Sequence, residues 1–167
     1  MPCATLSDPN WKIITGGAFD ATGNFYVIGK TSTAGQLVGV VAGGCNANTI
    51  TTLSMSMTLQ NAVDVQVTRA GNIAILDNSF SAVLTFLPPV NNALGQPVTT
   101  TPLSGNGILF ALSDFDAALW TADTNNPPRG AYKYAFPAGG SPISEISGVS
   151  AGLIAPVGIV VTPLAGP

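Results

Sequence analysis

The sequence predicts an all-β chain built from propeller-type blades, and three features carry that prediction. The first is an internal repeat with a period of roughly 46 to 48 residues, the size of one four-stranded blade. Gly16 to Gly29, Val63 to Asp77 and Leu109 to Asp123 each read as strand, tight turn, strand. A fourth copy starts at Leu153 and superposes on Leu59 to Thr68 without a gap through Thr162. The second feature is the near absence of helix signals: apolar residues alternate rather than recur at three and four, and 19 glycines and 13 prolines punctuate the chain. The third is turn chemistry, with Gly23-Asn24 and Gly71-Asn72 supplying the positive φ that tight hairpins need.

Taken in order, residues 1–10 form an N-terminal tail, and blade 1 occupies 11–58. Its inner strand covers about Lys12 to Phe19, followed by strands at Phe25 to Ile28 and Gln36 to Val41 and an outer strand around Thr49 to Met57. Blade 2 spans 59–103, with Ala82 to Leu87 as its third strand and about Pro97 to Leu103 as its outer one. Blade 3 spans 104–152, its hairpin turned less ideally by Asp116 and Ala117, its later strands at Ala131 to Pro137 and Pro142 to Gly148. Thr85-Phe86-Leu87-Pro88 and Ala135-Phe136-Pro137 both close a third strand with an aromatic and a proline, which offers no donor to the ladder. Residues 153–167 supply one extra strand and a C-terminal tail, so the chain encodes three blades plus one strand, a partial propeller to be completed by assembly.

These residues resemble the six-bladed propellers of the NHL-like and gluconolactonase-like superfamily, whose repeats run Pro-x-Gly-Ile-Ala-Val-Asp and then Gly-Asn-Leu-Tyr-Val-Ala-Asp. Pro156-Val157-Gly158-Ile159-Val160-Val161, Gly71-Asn72-Ile73-Ala74-Ile75-Leu76-Asp77 and Leu119-Trp120-Thr121-Ala122-Asp123 carry the likeness over about residues 11 to 166. Phe136-Pro137-Ala138-Gly139-Gly140-Ser141-Pro142 is similar to a segment of bacterial surface proteins with such blades. The resemblance implies a blade, and blades serve many functions. Gluconolactonase-like enzymes hold a divalent metal on acidic and amide side chains. The glutamate expected at the start of the first blade has no counterpart among residues 11 to 20, and the chain's one glutamate, Glu145, falls on a predicted outer strand. No catalytic residue is therefore carried over.

Composition narrows the function. Lys and Arg number 5 against 8 Asp and Glu, which leaves no basic stripe for a nucleic acid or an anionic membrane surface. No run of apolar residues reaches the length of a spanning helix. Histidine is absent, removing the commonest general base and every Ser-His or Cys-His pair. Charged residues are only 8% of the chain, so Thr, Ser, Asn, Gln and Gly fill the surface, as suits an extracellular or cell-surface location. Cys3 and Cys45 are a candidate disulfide between the tail and blade 1, or two buried thiols.

Asp77, Asn78, Asp123, Thr124 and Asn125 fall on one loop face, with Asp64 near the start of its inner strand. They read either as a ring of oxygen ligands for a hard cation such as calcium or as turn residues bonding their own loop backbones. Trp11, Phe25, Tyr26, Trp120, Tyr132 and Tyr134 read either as a sugar-stacking surface or as packing between blades. Closure of a ring takes at least about four blades. Blade 1 is therefore expected to bare an apolar side, and Leu153, Val157, Ile159 and Val161 are expected to form an assembly strand. The expected partner is a second copy, as a head-to-tail dimer or a polymer, or a complementary propeller chain. The function expected is a non-enzymatic binding or assembly unit; the alternatives are a metal-dependent lactonase-like hydrolase and a carbohydrate-binding lectin-like propeller.

Overall fold

Gly23 and Gly71 turn the first two hairpins at φ of 87° and 82°, a region strained for any residue with a side chain. The computed structural model of the chain describes residues 6, 8–33, 35–44, 47–124, 129–147 and 159–161. Among these, strands form three four-stranded antiparallel sheets. The first runs β1 (Ile13–Phe19), β2 (Phe25–Lys30), β3 (Gln36–Val41) and β4 (Thr51–Thr52). After β5 (Ser54–Met55), the second sheet takes β6 (Ala62–Val67), β7 (Ile73–Asp77), β8 (Ala82–Phe86) and, beyond β9 (Ala93–Leu94), β10 (Thr99–Pro102). The third is β11 (Gly107–Ser113), β12 (Ala118–Asp123), β13 (Gly130–Ala135) and β14 (Ser144–Ser147). Each sheet meanders from its inner strand outward, and the fold is β-propeller-like.

The blades stack through their faces because successive residues of a strand point to opposite sides. Tyr26, Ile28 and Val38 of the first sheet meet Ala62, Val65, Ile73 and Ile75 of the second in one buried cluster. The opposite side of the second sheet, with Ala74, Leu76 and Val83, meets Phe110, Leu119 and Tyr134 of the third. Every inner strand carries a register shift at the same place, between Ile14 and Gly16, Ala62 and Asp64, and Gly107 and Leu109. Such bulges bend a strand and re-aim the next side chain, and β6 packs between β1 and β11 at this point.

Three expectations change. The single outer strand expected at Thr49 to Met57 is two: β4 stays on β3, while β5 leaves to pair in parallel with β9 of the next repeat. Leu53 separates them because it points into the core between blades. The third hairpin lacks glycine, and a 3-10 turn at Asp114–Asp116 replaces the tight turn, with Phe115 and Asp116 at φ of 57° and 66°. The outward side of blade 1 is covered at its centre, while Ile14 and Phe19 on β1 stay exposed. Val27, Val41 and Ile50 are buried there under Leu6 and Trp11, since the chain turns at Asp8 and Lys12 bonds the Lys30 carbonyl. Glycines seat the indole: a Cβ on Gly39 would stand 2.7 Å from Trp11 Cζ2, and one on Gly29 3.1 Å from its Cε3. Trp11 Nε1 donates to Thr52 Oγ1 at 3.2 Å. Of the expected assembly strand, Ile159 and Val161 are described, and they pair with no strand within the chain. Leu153, Val157, Cys3, Cys45 and Asn125 lie outside the described residues.

Candidate functional site

Asp77 and Asp123 end β7 and β12 at equivalent register positions, opposite Ala62 and Gly107 of their inner strands. Both are buried, and a buried carboxylate requires partners. Asp77 finds them in the backbone: Gln60 N–H donates to it at 2.7 Å, Ser79 N–H at 3.0 Å and Asn61 N–H at 3.2 Å. Asn106 N–H donates to Asp123 at 3.0 Å, an approach that Gly105 permits, since a Cβ there would fall 2.5 Å from Asp123 Oδ2. Both carboxylates thus staple the loop leading into their own inner strand. Beside Asp77, Asn78 keeps its side-chain oxygen buried without a partner among the described residues. Those residues contain no group of three or more His, Cys, Asp or Glu placed to hold a metal ion.

Asp64 sits elsewhere. The bulge aims it between inner strands, where Val65 N–H donates to one oxygen at 2.9 Å and Phe110 N–H of β11 to the other at 3.0 Å. On its other flank β1 comes so close that a Cβ on Gly16 would stand 2.8 Å from the carboxylate. Burial pushes the Asp64 carboxyl up to about 6, against the downward pull of the bonds from Phe110, Val65 and the Gln66 side chain. The residue expected to join a ligand ring instead ties one blade to the next. Asp20, in the first hairpin turn, goes the other way. Burial raises it, but the bonds from Asn24 and Thr22 together outweigh that and hold it below the usual carboxylate range.

The aromatic residues do not form one surface. Tyr26 and Tyr134 are buried between blades and Tyr132 packs beside Tyr134. Trp11 and Phe25 cover the outward side of blade 1. Trp120 lies on the outward side of blade 3, with Lys133 Nζ 5.9 Å from its ring centre.

No protein-family model and no curated protein matches this chain. Solved structures do. Hydrazine synthase of Kuenenia stuttgartiensis aligns with a TM-score of 0.55 at 10% identity over 86% of this chain, which spans 37% of that one. A crystal structure of a protein of unknown function from Bacteroides caccae aligns at 0.45 and 12% identity, over 84% of this chain and 62% of that one. The likeness to hydrazine synthase is one of fold.

Reasoning from sequence passed over a cleft where the second and third sheets meet at their hairpin-turn end, lined in part by Thr68, Thr85 and Asp116. One signal was available. Thr85 is the lone hydroxyl in β8, a strand buried from end to end.

Proposed function

We propose that this chain is a non-enzymatic β-propeller module, secreted or displayed on a surface, that works as a binding and assembly unit by docking further blades onto its two outward faces. The observation that carries the reading is one of register. Ile14 and Phe19 of β1, 45% and 55% exposed, pair with Gly29 and Phe25. They occupy the positions of Ala62 and Val67, which in blade 2 pack against blade 1. At the other end Ile146, 48% exposed, pairs with Ala131 and takes the position of Thr101, opposite Val83 on the side of blade 2 that faces blade 3. Among the strands of the middle blade no large apolar side chain is exposed. Each terminal blade thus presents apolar groups where its neighbour has a partner.

The partner favoured here is a second copy, because two copies supply six blades and the two faces differ, as a head-to-tail contact requires. A complementary chain bearing the remaining blades would use the same faces. The Gly-Asn turns and the Pro156-Val157-Gly158-Ile159 phrase support a place beside NHL-like propellers, and the weakly charged, Thr-rich surface supports an extracellular setting. A lactonase-like reading has less support, since Asp77 and Asp123 serve loop backbone.

Size exclusion with light scattering tests the proposal. Wild type is expected at twice the 16.8 kDa chain mass or more, with Phe19→Lys and Ile146→Lys each reducing it to one chain without loss of β circular dichroism. A folded wild-type monomer would overturn the homomeric reading.

A further inference from the structure

Trp11 does in blade 1 what a strand residue does in blade 2. Gly39 pairs with Val27 as Leu84 pairs with Ile75, so the two hold the same register position. Gly29 likewise stands where blade 2 has Asp77. Leu84 is buried against blade 1, in one cluster with Tyr26, Ile28 and Val38. Gly39 has no side chain to offer its own outward side, and the indole lies there instead. A Cβ on Gly39 would meet Trp11 Cζ2 at 2.7 Å, and one on Gly29 its Cε3 at 3.1 Å. Atoms that close to a Cβ position belong to the first layer of side chains above the sheet, the layer that Leu84 fills in blade 2.

Hydrogen bonds fix the indole before any partner arrives. Trp11 N–H donates to the Asp8 carbonyl at 3.1 Å and Lys12 N–H to the Lys30 carbonyl at 2.9 Å, while Asn10 N–H donates to Asp8 Oδ1 at 2.8 Å. The indole N–H itself donates to Thr52 Oγ1 of β4 at 3.2 Å. Trp11 remains partly exposed, and its exposed neighbours are apolar. Ile14 pairs with Gly29 beneath the indole, and Phe19 stacks on Phe25 with ring centres 4.6 Å apart. A large rigid ring at the centre of an apolar patch has the character of a binding hot spot, and its fixed seat removes the cost of ordering it on association.

We propose that Trp11 is the central anchor of the contact through which a second copy docks on blade 1. The proposal rests on the assembly reading above and adds which residue holds the copies together. What meets Leu84 is the sheet of a neighbouring blade, so a sheet also fits over Trp11, and blade 3 of a second copy supplies one that carries the exposed Ile146. A cap that kept such a blade out would have to reach into the opposing side-chain layer. Packed sheets lie about 10 Å apart, and an indole resting on glycine backbone takes up only its own blade's share of that gap.

Light scattering over a dilution series tests the anchor on the full chain, as wild type, Trp11→Ala and Trp11→Phe. Trp11→Ala is expected to raise the dissociation constant about thirtyfold with β circular dichroism unchanged. Trp11→Phe, which keeps a ring but loses the bond to Thr52, is expected to raise it less. Should Trp11→Ala fail to fold, wild type labelled with 5-fluorotryptophan gives an independent reading: the fluorine resonance that Trp11→Phe removes is expected to shift as dilution separates the copies. An associating wild type whose Trp11 resonance does not move, or whose association Trp11→Ala leaves unchanged or tightens, would overturn the anchor and leave assembly standing. A wild type that is a single folded chain at every concentration would overturn both.

Discussion

Titrating Asp64 is expected to make this fold weaker at neutral pH than at pH 4. The carboxylate lies between β6 and β11, holding the Phe110 N–H at 3.0 Å, and neither β1 nor β11 brings a charged residue to compensate it. Burial therefore raises it from the ordinary aspartate value of 3.8 to about 6. A group raised by folding contributes stability that is fully present below its unfolded value and is lost as pH rises through its folded value. Here that window runs from about pH 4 to 6, and above it the loss is complete. At 1.36 kcal/mol per pH unit the loss from this group is about 3 kcal/mol. Asp20, held low in the folded chain, contributes in the opposite sense, but its stabilisation disappears only on acidification below about pH 4. The assay is urea unfolding of wild type and Asp64→Asn at half-unit steps from pH 4 to 8. Asparagine keeps one acceptor and gives up the other, a cost that does not vary with pH. The difference between the two proteins should change by about 3 kcal/mol across the window and then flatten. Parallel curves over the whole range would refute the reasoning, as would an Asp64 carboxyl carbon titrating near pH 4 by NMR.

Two further outcomes follow from the same geometry. Asp77→Ala removes the acceptor of the Gln60, Asn61 and Ser79 amides in a part-buried site, and should lower unfolding stability by about 1–3 kcal/mol; calcium should leave the wild-type melting temperature unmoved, whereas a metal-ligating Asp77 would show stabilisation by added calcium. Gly39→Ala drives a Cβ to 2.6 Å from Ile50 Cγ2 and 2.7 Å from Trp11 Cζ2, so it should cost about 1–3 kcal/mol and shift tryptophan emission to the red, while an unshifted spectrum would mean that the indole does not rest there.

Strands with near-neighbour partners were legible. β3 lies over Gln36–Val41 as read from alternation, and β8 ends one residue short of its expected Ala82 to Leu87, because connections of four or five residues keep each strand beside its predecessor. The outer strands were not legible in the same way. Thr49 to Met57 alternates acceptably throughout, but alternation does not name a partner, and β5 finds its own in β9 almost a full repeat later. The candidate site divides similarly. Asp77 and Asp123 stand at matching positions as the repeat implies, yet an aspartate at a strand end looks the same in sequence whether it faces amides or a cation. Asp64 gave a clearer sign, a carboxylate inside the apolar run Ala62–Val67, but its partner Phe110 lies a blade away.

What individualises this chain lies where its repeats diverge. Gly29, Asp77 and Asp123 hold one register position; in blades 2 and 3 the carboxylate closes the loop ahead of the inner strand, and in blade 1 glycine leaves room for Trp11 to lie across the sheet. One position therefore serves two kinds of closure. In blade 1 an indole covers the central part of the outward side, leaving Ile14 and Phe19 exposed on β1. Val40 and Thr85 diverge in the same manner on the third strands. Valine seals the first junction with hydrocarbon, whereas threonine puts an unpaired hydroxyl into the second. A repeat kept only for packing would gain nothing from that exchange, because an unsatisfied buried hydroxyl weakens a junction that valine would hold.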